Sequence, residues 1–295
     1  MPAEALQRKI KTTKDLREIV SNMKTLSSVS ILQYEQANAV MDKYQRNLRD
    51  AVHVLALNNG IPNLSVQPAA RPRYLFILIG TDNGMVGRFN RELIEQVKHF
   101  MKEQQIRSAD TMFITIGKRL SQLVEQSGFN ILAGFATSNS VKAVVALAEQ
   151  AIIKMETAVR QKHISNVYTC FHERAKSVAV ETQIKRILPV DVNGLQKLRH
   201  KKWETNNFPM LSTTPAQMFA ALLSEMLMIT LSKQINASLA AEHWTRMTNM
   251  QNAEKNIDEN LDKMNLEYQQ QRQEEITGEL IDVISGANAI KKDES

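Results

Sequence analysis

The chain has 295 residues, 43% of them hydrophobic, enough to bury a core in one large unit or two smaller ones. Its single cysteine, Cys170, excludes an internal disulfide and points to a reducing compartment, and no apolar run approaches the ~18 residues of a membrane span. The formal net charge of +6 invites a nucleic-acid reading, but the basic clusters are not interleaved with the aromatics that stack on bases. Those clusters are Arg8, Lys9, Lys11, Lys14, Arg17 and Lys24, and then Arg199-His200-Lys201-Lys202. They read as a solvated helix face and a loop, or as a surface for an acidic protein partner.

From Ala3 to Asn59 there is no Gly and no Pro. Inside a helix these cost about 1 and about 3 kcal/mol respectively, so the tract permits a helix of about 85 Å. The opening MPAEALQRKIKTTK reads as a helix start with Pro2 in its first turn, not as a signal peptide, which predicts a cytosolic chain. Alternating steps of three and four trace a seam through Leu16, Ile19, Met23, Leu26, Ser30, Gln33, Ala37, Val40 and Tyr44, the spacing of a left-handed coiled coil. Ser30 and Gln33 interrupt it, either fixing register or facing solvent.

The middle changes period. Tyr74–Ile79 is a short apolar run flanked by turn residues, predicting a buried strand. Helices are predicted near 91–105, 118–126 and 140–161, with further strands at 111–116, 166–171 and 177–188. Alternation at this spacing predicts a small Rossmann-like α/β domain with a mainly parallel sheet, over about residues 70–190. Residues 191–211 read as a linker.

From Ala216 to Thr277 Gly and Pro are again absent. Ser212-Thr213-Thr214-Pro215 offers helix caps and a first-turn Pro. After an apolar opening, a seam follows at Met247, Met250, Ile257, Leu261, Met264 and Tyr268. Acidic residues crowd this tract (Glu254, Asp258, Glu259, Asp262, Glu267, Glu274, Glu275), whereas the first rod is basic. Opposite sign favours pairing of the two rods, antiparallel, over self-pairing. The expected organisation is therefore a helix over 1–59, the α/β domain, the linker, and a helix over 212–290 wound on the first.

Catalytic constellations are not legible. Gly80 and Gly84 are not followed by the Lys-Ser/Thr pair of a phosphate loop, and only Gly84-x-x-Gly87 remains of a dinucleotide fingerprint. The six histidines lack the H-x-x-x-H or H-x-H spacing of a metal site. Cys170 and His172 share a strand face with no oxyanion arrangement beside them, a pattern that reads as packing. No catalytic residue, cofactor or metal is assigned.

Residues at both ends carry a resemblance. Ser238-Leu239-Ala240-Ala241-Glu242, Arg246-Met247, Met250, Tyr268, Arg272-Gln273, Ile276-Thr277, Glu279-Leu280 and Ser285-Gly286-Ala287 are similar, without a gap, to the gamma subunits of F-type ATP synthases. Ile10, Ile19 and Met23 are similar to the first helix of that family, and Thr81–Asn90 to its strand-to-helix turn. The resemblance implies a non-catalytic rotor shaft: a terminal coiled coil inside a ring of alpha and beta subunits, with the α/β domain beside an epsilon-type subunit and the membrane c-ring. It implies a peripheral protein on the cytoplasmic side of a bacterial inner membrane, coupling ion flow to ATP synthesis or hydrolysis. By the same resemblance Arg272, Gln273 and Thr277 contact the surrounding ring, while Glu242 and Arg246, four apart, form an intrahelical pair worth a few tenths of a kcal/mol. The chain departs from the family pattern at Ser27-Ser28-Val29-Ser30, at Gly87-Arg88 where a Gly-Gly pair is usual, and at His243-Trp244-Thr245 where small residues are usual. A free-standing coiled-coil adaptor and a small nucleotide-binding α/β enzyme are the competing readings.

Overall fold

The computed structural model describes residues 3–62, 71–138, 140–175, 180–200, 202–203, 211 and 213–293. Helix α1 spans Ala3–Leu57 and the last helix, α6, spans Pro215–Asp293. Between them come β1 (Tyr74–Ile79), α2 (Phe89–Glu103), β2 (Thr111–Ile116), α3 (Lys118–Gln126), β3 (Ile131–Phe135), α4 (Val141–Lys162), β4 (Asn166–Arg174), β5 (Val180–Leu188) and the short α5 (Val192–Lys197). The chain divides into two compact units, one of Met1–Ser27 with Met247–Ser295 and one of Ser28–Arg246. This division cuts across both terminal helices, not at the inner ends where the sequence suggested boundaries.

In the second unit the strands lie in the order β3-β2-β1-β4-β5. β1 pairs in parallel with β2 and β4, β2 pairs in parallel with β3, and only β5 is antiparallel. Alternation along β1 splits the core into two layers. Leu75, Ile77 and Ile79 face α4 (Val144, Ala148, Ala151, Met155) together with Leu231, Ile235 and Leu239 of α6. Phe76 and Leu78 face α2 (Leu93, Val97) and α3 (Leu120, Val124), with Cys170 in the same layer. Ser140 caps α4 by accepting the Ala143 N–H at 3.3 Å. Pro215 takes the first position of α6, where its missing N–H costs nothing; Ser212, one of the three expected caps, lies outside the described residues. By length and composition alone α6 is apolar enough to cross a membrane, yet its buried Leu231, Ile235 and Leu239 are spent on the sheet.

Strand β3 and helix α5 were not legible in the sequence. β3 is a half-exposed edge strand whose ILAGF is interrupted by Gly134, so it lacks a strong apolar pattern. α5 lies in the expected linker, and its Leu195, with Leu198 just after it, packs on Leu48, Val52 and Leu55 of α1 and Phe219 and Leu222 of α6. The predicted start of the last strand at Ser177 lies outside the described residues.

The seam of α1 needs correction. Leu16, Ile19 and Leu26 are 50%, 55% and 68% exposed, and Met23 is only half-buried. The buried stripe runs one residue later along the helix, a rotation of about 100°. It holds Leu6, Ile10, Val20 and Ser27 in the first unit and Ile31, Tyr34, Met41, Leu48 and Val52 in the second. Arg17 and Lys24 occupy steps of the same stripe and meet carboxylates on α6. Counting apolar residues selected the greasier face; the helix buries the face whose charges are matched. On α6, Leu261 and Met264 are buried and pack with Leu6 and Ile10, with Ile257 and Tyr268 against the same cluster.

Candidate functional site

The natural ligand position of an open α/β sheet is the crevice beyond the carboxyl ends of the strands, where strand order reverses. Here that point lies between β1 and β4, and α6 fills it. Ser238 Oγ donates to the carbonyl of Ile79 at 3.1 Å, and Ala241 packs against Val86, Phe89 and Val180. The loop after β1 is closed on itself. Asn90 accepts the Thr81 N–H at 3.1 Å and donates to Thr81 Oγ1 at 2.9 Å. Asp82 accepts the N–H groups of Lys118 at 2.7 Å and Thr137 at 3.0 Å. Gly117 has φ +124°, and a Cβ there would stand 2.8 Å from the Thr81 nitrogen. Gly117 thus serves close packing, and a nucleotide at this position would have to displace α6.

The Cys170–His172 pair is packing as well. Burial in an apolar layer pushes the Cys170 thiol well above its usual range. His172 lies with Nε2 2.9 Å from the Phe89 carbonyl and Nδ1 3.2 Å from Thr182 Oγ1, and burial lowers it to about 4. Among the described residues no group of His, Cys, Asp and Glu is arranged to hold a metal.

What the second unit does build is a polar joint between α1, α6 and the sheet. Arg246 Nη2 donates to Glu242 Oε1 at 2.5 Å, and both side chains are more than nine-tenths buried. Arg246 Nη1 lies 3.3 Å from His243 Nδ1, so that nitrogen accepts. The His243 ring stacks on Tyr34 of α1 with centroids 5.8 Å apart, and burial lowers its pKa to about 4. Arg174 of β4 lies 4.7 Å over the Trp244 ring and pairs with Glu35 of α1 at 2.9 Å. Burial raises the Glu242 carboxyl above its usual value, Arg246 pulls it back, and Asp82 adds a smaller upward push. The expected weak intrahelical pair Glu242–Arg246 does form, but it is buried, in a joint whose members come from α1, β4 and α6. The bulky His243-Trp244-Thr245 departure was the one sequence signal of this joint.

In the first unit ion pairs accompany the apolar contact of Leu6 and Ile10 with Leu261 and Met264. Arg17 meets Asp258 through Nε at 2.5 Å and Nη2 at 3.4 Å, and Lys24 meets Glu254. The hydrogen bond to Arg17 lowers Asp258, and that to Lys24 lowers Glu254. The backbone N–H of Ala3 donates to Glu275 Oε1 at 3.2 Å. Beyond Glu275, α6 has no partner helix among the described residues, and Ile276, Leu280, Ile281, Val283 and Ile284 are all exposed. Arg272, Gln273 and Thr277 are exposed on the same stretch; Thr277 Oγ1 donates to the Gln273 carbonyl at 2.7 Å, and Arg272 has no ion-pair partner among the described residues. The side chains of Ser285, Gly286 and Ala287 lie outside the described residues.

Known proteins resemble this chain along nearly its whole length. The chain is 24% identical to an ATP synthase gamma chain of Geobacter metallireducens over 98% of each chain, and 24% identical to that of Staphylococcus haemolyticus over 96% of this chain and 97% of the relative. A chain in the cryo-EM structure of Euglena gracilis mitochondrial ATP synthase, comprising OSCP, F1 and c-ring, superposes with a TM-score of 0.64 at 16% identity, covering 99% of this chain and 96% of the other. A family model described as ATP synthase matches residues 3–290. The chain belongs to the ATP synthase gamma family. A gamma subunit is a non-catalytic part of the stalk, consistent with a crevice filled by its own helix and a joint built around one buried ion pair.

Proposed function

We propose that this gamma chain is the central rotor shaft of an F-type ATP synthase, transmitting torque between a membrane c-ring and the catalytic head of alpha and beta subunits. The observation that carries the reading is the paired section of the first unit, clamped by Arg17–Asp258 and Lys24–Glu254, with an unpaired, apolar end of α6 beyond Glu275. An exposed apolar helix end of this length is a surface awaiting a partner. Arg272, Gln273 and Thr277 stand at its base, where a guanidinium and an amide donate to carboxylates or carbonyls of the surrounding ring. An epsilon-type subunit beside the α/β domain, and a position on the cytoplasmic face of a bacterial inner membrane, complete the proposal. They are supported by the bacterial relatives, which are named as gamma chains.

The test is assembly and rotation. The chain should purify from its source with six nucleotide-binding subunits, and a probe attached to its α/β domain should turn stepwise on addition of ATP. Replacing Arg272 and Thr277 together by Ala should lower the ratio of ions moved per ATP while leaving assembly intact. Recovery of the chain without such subunits, or a stationary probe during ATP hydrolysis, overturns the reading.

A further inference from the structure

Three Asn-Gly steps occur in the chain: Asn59-Gly60, Asn83-Gly84 and Asn193-Gly194. A glycine after asparagine lets the backbone nitrogen approach the side-chain amide carbon closely, because no Cβ stands in the way. Attack then depends on whether that nitrogen is already committed. At Gly60 it is: the N–H donates to the Leu55 carbonyl at 2.9 Å, closing the end of α1, and Gly60 is buried. At Gly194 the N–H donates to Asp191 Oδ1 at 3.0 Å, within helix α5. Gly84 differs. Its N–H has no acceptor among the described residues, and it lies outside any helix or strand. Asn83 is exposed, and only its backbone carbonyl is engaged, by Thr81 Oγ1 at 2.8 Å.

The surroundings hold this step in place and leave it free to react. Upstream, Thr81 is tied to Asn90, and Asp82 to the N–H groups of Lys118 and Thr137. Downstream, Val86 and Phe89 are buried against Ala241 of α6. Arg119 stands beside the step, its Nη1 3.4 Å from where a Cβ on Gly84 would lie. A guanidinium there favours the negative charge that builds on the amide oxygen during attack. We infer that Asn83 is a self-modification site, at which the Gly84 nitrogen attacks Asn83 Cγ and closes a succinimide ring. The Cγ–Nδ2 bond breaks, and Nδ2 leaves as ammonia, taking up the proton that the Gly84 nitrogen loses. Water then adds to either imide carbonyl and opens the ring, leaving aspartate or isoaspartate at position 83. Nothing is oxidised or reduced, and water is the only co-reactant. Either product places a new negative charge next to Asp82. Isoaspartate also adds a methylene to the main chain between anchors that are fixed on both sides.

Incubating the full chain in mildly alkaline heavy-oxygen water, with peptide mapping by mass spectrometry over time, tests the inference. The peptide holding Asn83 should exchange its amide nitrogen for a heavy oxygen from solvent. An isoaspartate-specific carboxyl methyltransferase should then label that peptide. Asn59 and Asn193 should react at least about tenfold more slowly, the scale set by a hydrogen bond that must break first. In concentrated urea, where the fold no longer commits the Gly60 and Gly194 nitrogens, that gap should close. Gly84→Ala should slow the reaction at Asn83 by about tenfold or more, and Arg119→Met should slow it severalfold. The Ala side chain meets nothing closer than 3.4 Å, so this variant should keep the wild-type unfolding midpoint. Reaction at Asn83 no faster than at Asn59 and Asn193 in the folded chain would overturn the inference. A rate at Asn83 that neither substitution lowers would overturn it too.

Discussion

Arg246→Met isolates the energetics of the polar joint. The guanidinium it removes is the main stabiliser of the Glu242 carboxylate, which burial otherwise pushes toward its neutral form. Both side chains are more than nine-tenths buried, so solvent cannot take over the lost partner. Breaking such a pair from one side costs about 3–5 kcal/mol, because an uncompensated charge stays behind. His243 would lose the donor to its Nδ1 at the same time. The pair itself is another matter: in Glu242 the desolvation cost already outweighs the attraction of Arg246, as its raised pKa shows. Replacing both residues by Met should therefore recover most of the loss.

The pH dependence follows from the same shift. The folded protein holds the Glu242 proton more tightly than the unfolded chain, so stability falls as pH rises from the ordinary carboxylate value through the raised one, and stays lower above it. Removing Arg246 raises Glu242 further, so the deficit of the variant should be largest well above the raised Glu242 value and shrink as pH falls through it, where the carboxyl takes up its proton. Urea unfolding followed by tryptophan fluorescence reads this directly, since Trp244 sits within the joint under Arg174. A cost below about 1 kcal/mol, typical of an exposed pair, would refute the argument, as would a cost that does not change with pH.

Four further outcomes follow. Leu261→Asp should destabilise the first unit by more than about 2 kcal/mol, whereas Leu16→Ser, on the exposed face of α1, should stay within about 0.5 kcal/mol in the same melts. The pairing of the first unit should weaken with salt and again as pH falls below the lowered Asp258 and Glu254 values, because those carboxylates stabilise the fold only while ionised. Circular dichroism against salt and pH checks this, and Arg17→Met should remove part of both dependences. Gly117→Ala, which drives a Cβ to 2.8 Å from the Thr81 nitrogen at φ +124°, should cost about 1–3 kcal/mol in urea unfolding of the chain. In the assembled complex Ile257→Asp should uncouple hydrolysis from ion transport, and undiminished pumping would count against a shaft stiffened at this contact.

Much of the architecture was legible because its signals are local. Tracts free of Gly and Pro fixed α1 and α6, and the apolar run at Tyr74–Ile79 fixed the central strand, each from chemistry contained within the element. β3 escaped because an edge strand is half-exposed and need not alternate cleanly. The joint escaped because its members lie at residues 34–35, 82, 174 and 242–246, brought together only by the fold. Nothing local distinguishes a buried i,i+4 pair from an exposed one. Only the bulk of His243 and Trp244, where small residues are usual, hinted that this turn of α6 meets other elements.

The displaced seam of α1 makes a more general physical point. Leu16, Ile19 and Leu26 are more apolar than Arg17, Val20 and Ser27, and a seam chosen to minimise exposed hydrocarbon within one chain would bury the former. The helix does the opposite, leaving a greasy stripe outward while Arg17 and Lys24 face acidic α6. Charged seams are poor at holding two helices together but good at fixing which helix, direction and register is chosen. An apolar outer stripe is a liability for an isolated protein and an asset for one surrounded by other subunits. The pattern thus makes sense for a chain whose solvent, over that face, is protein. A chain selected to stand alone would have placed its leucines one position along.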